Sequence, residues 1–238
     1  NLVSDFILSQ INFNQSVSFL SPTQNVNSVT ISNSGFTNAF TLNMPINGPL
    51  ALTNVSIGGA LSITASGSLT ATTLSNVDVN GSATISVGSG SLTLNNVTAN
   101  NGLSLMSNGA GPVALHAVEA NGGLTVTAPG ESVAFQNGTF MGATNSITAG
   151  NITMGDSSGN NVPDFNTSST TLNASSSVSM PSNLFYSGAT FYLPNTSHMT
   201  WTDLGVTLSW GPSGNPLNIN GDTINIVLGG NQAIATMI

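Results

Sequence analysis

Apolar and small polar residues alternate along most of the chain, in short runs such as 83–87 and 124–127. A period of two with many β-branched residues predicts β-strands, and helical spacing is essentially absent. Glycine-containing pairs separate the runs: Gly58-Gly59, Asn80-Gly81, Asn101-Gly102 and Asn121-Gly122. We expect these pairs to supply the positive φ angles that tight corners need. The pattern predicts an all-β chain of short strands joined by corners.

The alternating runs recur with a period near 21 residues. Three columns of apolar residues share this period: Val55, Val77, Val97 and Val118; Ile63, Ile85, Leu105, Val126 and Ile147; and Leu50, Leu69, Leu92, Val113, Val133 and Ile152. Leucine-rich, ankyrin and TPR repeats would show helices or longer periods. A repeat of this length with two or three strands predicts a parallel β-helix, or β-solenoid, in which each period is one coil.

Aromatic residues divide the chain into three parts. Five phenylalanines lie in residues 1–40, none lies in 41–134, and six aromatic residues lie between Phe185 and Trp210. We predict β-helix coils over residues 29–177. Residues 1–28 are predicted to form a strand, a cap or a subunit-contact segment, and residues 178–238 an irregular C-terminal β region. Aromatic ends suit either wide capping coils or subunit contacts.

Asparagines fall at one predicted corner of successive coils. Asn54, Asn76 and Asn96 occupy equivalent positions, and Ala117 interrupts the series in the next coil. Coils of stacked strands lie about 4.8 Å apart, so that like residues lie above like residues. We therefore predict a ladder of hydrogen bonds between asparagine side chains, with a gap at Ala117.

The chain contains no lysine and no arginine, and its eight acidic residues give a net charge of −8. Nucleic acids and anionic membranes are bound mainly through basic residues, and a Walker-type nucleotide site needs its lysine. These partners are excluded, which leaves neutral molecules or another copy of the chain. There is no cysteine for a disulfide or a thiolate metal site, and no apolar run of 18 residues to form a membrane helix.

The same composition predicts where the protein works. The first residue is Asn1, as expected for a processed chain that has lost a secretion signal. Trypsin-like proteases find no basic residue to cleave after. When acid protonates the carboxylates, only His116, His198 and the amino terminus carry positive charge. We expect an extracellular or cell-surface location, and an acidic setting is the more specific hypothesis.

Few residues suit catalysis. Asp78 and Glu119 are predicted to point outward two coils apart, about 10 Å, which slightly exceeds the spacing of an inverting carboxylate pair. No third acid is expected in register with them, so we predict no catalytic residue, no cofactor and no enzyme. His116 falls in the outward column of Thr53, Asn95 and Gln136, and is interpreted as a surface residue.

The segment from Asp156 to Asp164 is rich in oxygen ligands around Gly159. Calcium favours such ligands, but their spacing matches no EF-hand loop. We interpret the segment as an insertion between coils and predict no metal site.

Both ends of the chain are apolar and nearly uncharged, whereas solenoids usually finish in polar caps. Such ends suit a chain that polymerises end to end or donates a terminal strand, although truncation of a longer protein would leave similar ends. The predicted subunit contacts are Leu2, Phe6, Ile7, Phe13, Ile224, Ile226, Leu228, Ile234 and Ile238.

The coil from Gly90 to Leu105 resembles those of the filamentous-haemagglutinin and autotransporter adhesins, and the resemblance covers residues 48–155 through its coil pattern. That family implies a right-handed β-helix secreted to a bacterial surface. We predict an extracellular structural protein, the subunit of a self-assembling filament or surface fibre. The alternative is an adhesin that binds neutral glycans through Tyr192, Trp201 and Trp210. A carbohydrate-active enzyme ranks third.

Overall fold

The structure is a computed structural model. It describes residues 4–21, 23–109, 111–142, 144–155, 161, 163–167, 170–179, 189–193, 198–200, 207–209, 216–218 and 225–228. The described residues contain 21 strands and no helix, and so none long and apolar enough to span a membrane. The strands are β1 (Phe6–Ser9), β2 (Asn12–Phe13), β3 (Val17–Leu20), β4 (Val29–Phe36), β5 (Phe40–Pro45), β6 (Leu50–Ile57), β7 (Leu61–Ser66), β8 (Ala71–Val79), β9 (Ala83–Val87), β10 (Ser91–Ala99), β11 (Leu103–Ser107), β12 (Val113–Ala120), β13 (Leu124–Gly142), β14 (Asn145–Met154), β15 (Asp164–Thr167), β16 (Thr170–Ser179), β17 (Ala189–Leu193), β18 (His198–Thr200), β19 (Thr207–Ser209), β20 (Pro216–Asn218) and β21 (Asn225–Leu228).

Nineteen of these strands belong to one parallel sheet, which winds into a β-solenoid of about seven turns with coils of about 21 residues. This confirms the predicted fold class. β19 and β20 form a separate antiparallel pair. Along the solenoid each strand pairs with its counterpart one coil later, as β6 does with β8 and β8 with β10. β1, β2 and β3 form the first coil, because they pair in register with β4 and β5 of the second.

Each coil has three straight segments, which stack into three faces. In the fourth coil they are residues 71–75, residues 77–79 and β9. A left-handed residue, Asn76, separates the first two, while the backbone pairing continues on both sides of it. The strands are therefore longer than the predicted runs, eight or nine residues in β4, β6, β8, β10 and β12.

The core consists of apolar columns that run the length of the solenoid. The registers confirm the valine column from Val55 to Val118 and the column from Ile63 to Ile147. The members of both are at most 2% exposed. Burial of these aliphatic side chains is the main favourable term in the folding free energy.

The third predicted column is wrong at one position. Thr72, not Leu69, pairs with both Leu50 and Leu92. Leu69 is buried at the preceding corner instead. A search for apolar residues passes over a threonine, and this one is fully buried with no hydrogen-bond partner for its hydroxyl.

The prediction for the glycine corners is confirmed at Gly102, which adopts φ 105°, but two other corners have a different cause. Gly58 and Gly81 do not adopt a positive φ. A Cβ on Gly58 would overlap the carbonyl oxygen of Thr37, and one on Gly81 would lie 2.6 Å from the carbonyl oxygen of Gly59. Glycine is needed at these corners because the stacked backbones approach closely.

Replacing Thr72 with valine should stabilise the protein. A buried hydroxyl without a partner costs about 1–3 kcal/mol, and valine has the same shape without that hydroxyl. We expect Thr72→Val to raise the free energy of unfolding by about 1 kcal/mol, measured by thermal and denaturant unfolding. The neighbouring Thr73→Val, on the outer surface, serves as the control and should change stability by less than about 0.5 kcal/mol. A destabilised Thr72→Val variant would show that the hydroxyl is satisfied in solution.

Candidate functional site: the first coil and the asparagine corner

The first coil exposes one edge of its strands. Within the described residues, β1, β2 and β3 pair only with strands of the second coil. The amides of Phe6, Gln10 and Val17 donate to carbonyl oxygens of the second coil at 2.9, 3.1 and 2.9 Å. Because successive residues of a strand point their peptide groups to opposite sides, those of Ile7 and Ser18 face the open edge.

Aromatic rings fill the core behind this edge. The rings of Phe13 and Phe36 stack with centroids 5.2 Å apart, and Phe6 meets Phe19 edge to face at 4.7 Å. Phe6 and Phe13 are only half-buried, whereas Phe36 in the second coil is 2% exposed. The rings thus point inward and keep an exposed surface toward the end of the solenoid.

The structure gives the predicted contact residues different positions. Phe6 and Phe13 lie at the open end, as just described. Ile7 does not: its side chain is 66% exposed and stands in the outward column of Thr30, on the side of the solenoid. Among the other predicted contacts, Ile226 and Leu228 lie in β21 without a described side chain, and the rest fall outside the described residues: Leu2, Ile224, Ile234 and Ile238.

The asparagine ladder is confirmed and begins one coil earlier than predicted. Nδ2 of Asn54, Asn76 and Asn96 donates to Oδ1 of the asparagine one coil before, 2.9 Å away each time, and the first acceptor is Asn33. All four residues adopt φ between 49° and 55°, in the left-handed region. Asparagine tolerates this conformation better than most residues, so one residue type both makes the bend and links the coils.

The series has a gap at Ala117, as predicted. Ala117 adopts φ 50° between Asn96 and Asn137 of the adjacent coils, without an amide to continue the ladder. The bend is therefore a property of the coil stack and not of asparagine alone.

A second, shorter ladder was not predicted. Asn100 donates to Asn80 at 3.3 Å, and Asn121 donates to Asn100 at 3.0 Å. Their spacing of one coil is visible in the sequence. It was hidden because Asn101, which precedes a glycine, looks like the better match to Asn80 and Asn121.

Several acidic residues share one column of the second face. Asp78 and Glu119 are exposed on the second face, and Thr98 lies between them in register. The prediction that no third acid lies in register with them is wrong. Thr139 pairs with Glu119 and Asp164 pairs with Thr139, so Asp164 belongs to the same column. No lysine or arginine exists to pair with these acids.

A shallow groove of about 370 Å³ follows the asparagine corner. Its lining includes Asn33, Asn54, Asn76, Ser56 and Asp78. Amides and hydroxyls can hydrogen-bond neutral, hydroxyl-rich molecules, and Asp78 is the one ionisable residue among the described residues that line the groove. Among the described residues no group of three or more His, Asp or Glu could hold a metal ion.

The remaining predicted residues are placed as follows. His116 is half-exposed and pairs in register with Asn95 and Gln136, which confirms its outward position. Tyr192 lies in β17 in register with Asn173, without a described side chain. Outside the described residues lie Trp201, Trp210 and residues 156–160 of the oxygen-rich segment.

Comparison with protein-family models, with curated proteins and with solved structures finds no match to this chain. The resemblance to the secreted β-helix adhesins and the glycan-binding alternative therefore stay predictions.

Filling the gap in the ladder should stabilise the fold. In Ala117→Asn the new amide can donate to Oδ1 of Asn96, and asparagine is less strained than alanine at this φ. We expect the free energy of unfolding to rise by about 1–2 kcal/mol, measured by thermal and denaturant unfolding. Ala114→Asn is the matched control, because Ala114 is a half-exposed residue of the same strand outside the corner. If both substitutions changed the free energy of unfolding equally, the asparagine ladder would not be the source of the added stability.

Proposed function

We propose that the protein is a structural subunit that assembles end to end into a filament or surface fibre, with each copy adding its coils to those of the last. The observation that carries this proposal is the first coil, whose strand edges have no partner among the described residues and which has half-exposed rings in the same place. Strand addition at such an edge supplies hydrogen bonds through the backbone and needs no charged partner.

The rings favour the addition of a further coil. Phe6, Leu8, Phe13, Val17 and Phe19 are half-buried, while their counterparts in the second coil are at most 2% exposed. Covering each of these five side chains would contribute about 1 kcal/mol. A stacked coil would cover all of them at once.

Charge favours a copy of the chain over a charged partner. The exposed carboxylate of Asp5 is the only charged side chain in the described part of the first coil, and Ser28 Oγ donates to it at 2.8 Å. A head-to-tail contact between identical subunits does not close on itself and so produces an open filament. We propose an extracellular or cell-surface location as well. A structural fibre without lysine or arginine offers trypsin-like proteases no cleavage site, which suits such a location.

Proline at the open edge should stop assembly without unfolding the subunit. Ile7→Pro and Ser18→Pro each remove an amide that faces the edge, and neither breaks a bond to the second coil. We expect both variants to remain monomeric in sedimentation velocity at concentrations where the unmodified chain forms filaments in electron micrographs.

Ile7→Thr is the control for the side chain, because it keeps the amide and the β-branched shape. We expect it to assemble normally, since the Ile7 side chain lies on the side of the solenoid. Circular dichroism should show the same β-sheet signal in all variants. Filaments from both folded proline variants, or an unmodified chain that stays monomeric at every concentration, would contradict the proposal.

A further inference from the structure

The third face of the solenoid carries almost nothing but hydroxyl side chains. We define the hydroxyl face as two outward columns, Thr41, Ser62, Thr84, Ser104, Thr125 and Ser146 beside Asn43, Thr64, Ser86, Met106, Thr127 and Thr148. Coil stacking repeats these positions at about 4.8 Å, and alternate residues of a strand lie about 6.6 Å apart. The result is a regular two-dimensional array of short side chains.

Within the described residues this face carries no ionisable side chain. Asp78 and Glu119 lie on the second face, and His116 lies on the first. Glu131 lies outside the five-residue stretch of β13, 124–128, that belongs to the hydroxyl face. The chain has no lysine or arginine with which to neutralise an opposing carboxylate. Two copies can therefore meet on this face without like-charge repulsion, and a second copy on the second face would bring carboxylate against carboxylate.

An independent observation favours a protein surface as the partner. Leu20 and Met106 are 64% and 42% exposed, and they are two of the four large hydrophobic residues exposed in the described part of the chain. Met106 belongs to the second column of this face, and Leu20 extends that column by one coil because it pairs with Asn43. Exposed apolar side chains at the end and the middle of one column indicate a contact that excludes water.

The area of the face sets the strength of this contact. Seven coils at about 4.8 Å and five residues at about 3.3 Å give about 550 Å² for each subunit. That is about two thirds of the roughly 800 Å² that each partner contributes to a standard interface. Single subunits should thus pair weakly, whereas two filaments add the contact once for every subunit.

We propose that two copies pair side by side through their hydroxyl faces, so that filaments of this protein are paired. This inference rests on the proposed end-to-end assembly in one respect: stable pairing needs filaments, whereas the pairing face itself is the same in a single subunit. Serine and threonine side chains of equal spacing can interdigitate and exchange hydrogen bonds, as in zipper interfaces between stacked sheets.

A carboxylate at the centre of the face should separate the paired filaments. Thr84 lies in the fourth of the seven coils, so Thr84→Asp places like charges opposite each other in a symmetric pair. We expect the filaments of this variant to have half the mass per unit length of those of the unmodified chain, measured by scanning transmission electron microscopy. Thr73→Asp, in the same coil but on the first face, is the matched control and should leave the mass per unit length unchanged.

Crosslinking tests the same contact without filaments. The native chain has no cysteine, so Thr84→Cys and Thr73→Cys each introduce a single thiol. With Ile7→Pro, which lies outside the hydroxyl face, added to prevent end-to-end joining, a short bismaleimide should give several-fold more dimer from Thr84→Cys at high protein concentration. Labelling with a monofunctional maleimide corrects for thiol reactivity.

The two readouts separate the two proposals. Filaments of unpaired width from the unmodified chain, with equal crosslinking at both positions, would overturn side-by-side pairing and leave end-to-end assembly intact. Preferential crosslinking at Thr84→Cys in a chain that never forms filaments would support pairing and refute the fibre. A third outcome would assign the face to glycans instead. In that case the unmodified chain would be retained on an insoluble neutral polysaccharide, Thr84→Asp would not be retained, and the two cysteine variants would crosslink equally.

Discussion

In the described part of the solenoid, each coil lies in register on the one before it apart from shifts near residues 128–132 and 149–151, so most side chains have their own counterpart as a neighbour. A residue type that repeats along one column must therefore be able to stack on itself at about 4.8 Å. Aliphatic side chains do so in the core, as in the column that contains Val77 and Val97. Asparagines do so at the bend, where Asn76 receives and passes on a side-chain hydrogen bond.

The same constraint accounts for much of the composition. A column of lysines or of carboxylates would place like charges side by side. The acids that the structure does contain on the second face alternate with threonine, since Thr98 separates Asp78 from Glu119. Two coils correspond to about 10 Å, close to the screening length of a 0.1 M salt solution, so their repulsion is small. The stacking of coils does not by itself require the complete loss of lysine and arginine. For this reason an extracellular or cell-surface location, where their absence protects against proteases, is part of the proposed function.

The sequence predicted most of the features that repeat and missed those that depend on a single residue. The period, two of the three apolar columns and the asparagine ladder follow from residues that match one coil after another. Thr72 could not be assigned in this way, because its burial depends on the neighbours Leu50 and Leu92 and not on its own polarity. The role of Gly58 depends on the distance between stacked backbones, which sequence spacing does not report.

The candidate site was predictable only in part, for a related reason. Apolar residues near the start of the chain indicated a contact, but the direction of each side chain depends on the register. The register turns Phe6 toward the core and Ile7 toward the side, so only the backbone of Ile7 belongs to the open edge. The hydroxyl face escaped notice because serine and threonine are common throughout the chain. Only the stacking of β5, β7, β9 and β11 shows that they line up on one face.

The central claim is that this fold is held together by apolar burial and stacked hydrogen bonds, without any contribution from paired charges. Thermal unfolding measured from pH 7 to pH 2 tests it most directly. Protonation of the eight carboxylates removes negative charges that have no lysine or arginine to attract, and so relieves repulsion within the folded chain. We predict a melting temperature that stays constant or rises as the pH falls. A cooperative loss of structure as the carboxylates become protonated, below about pH 4, would contradict the account, because it would show that the folded state depends on their charge.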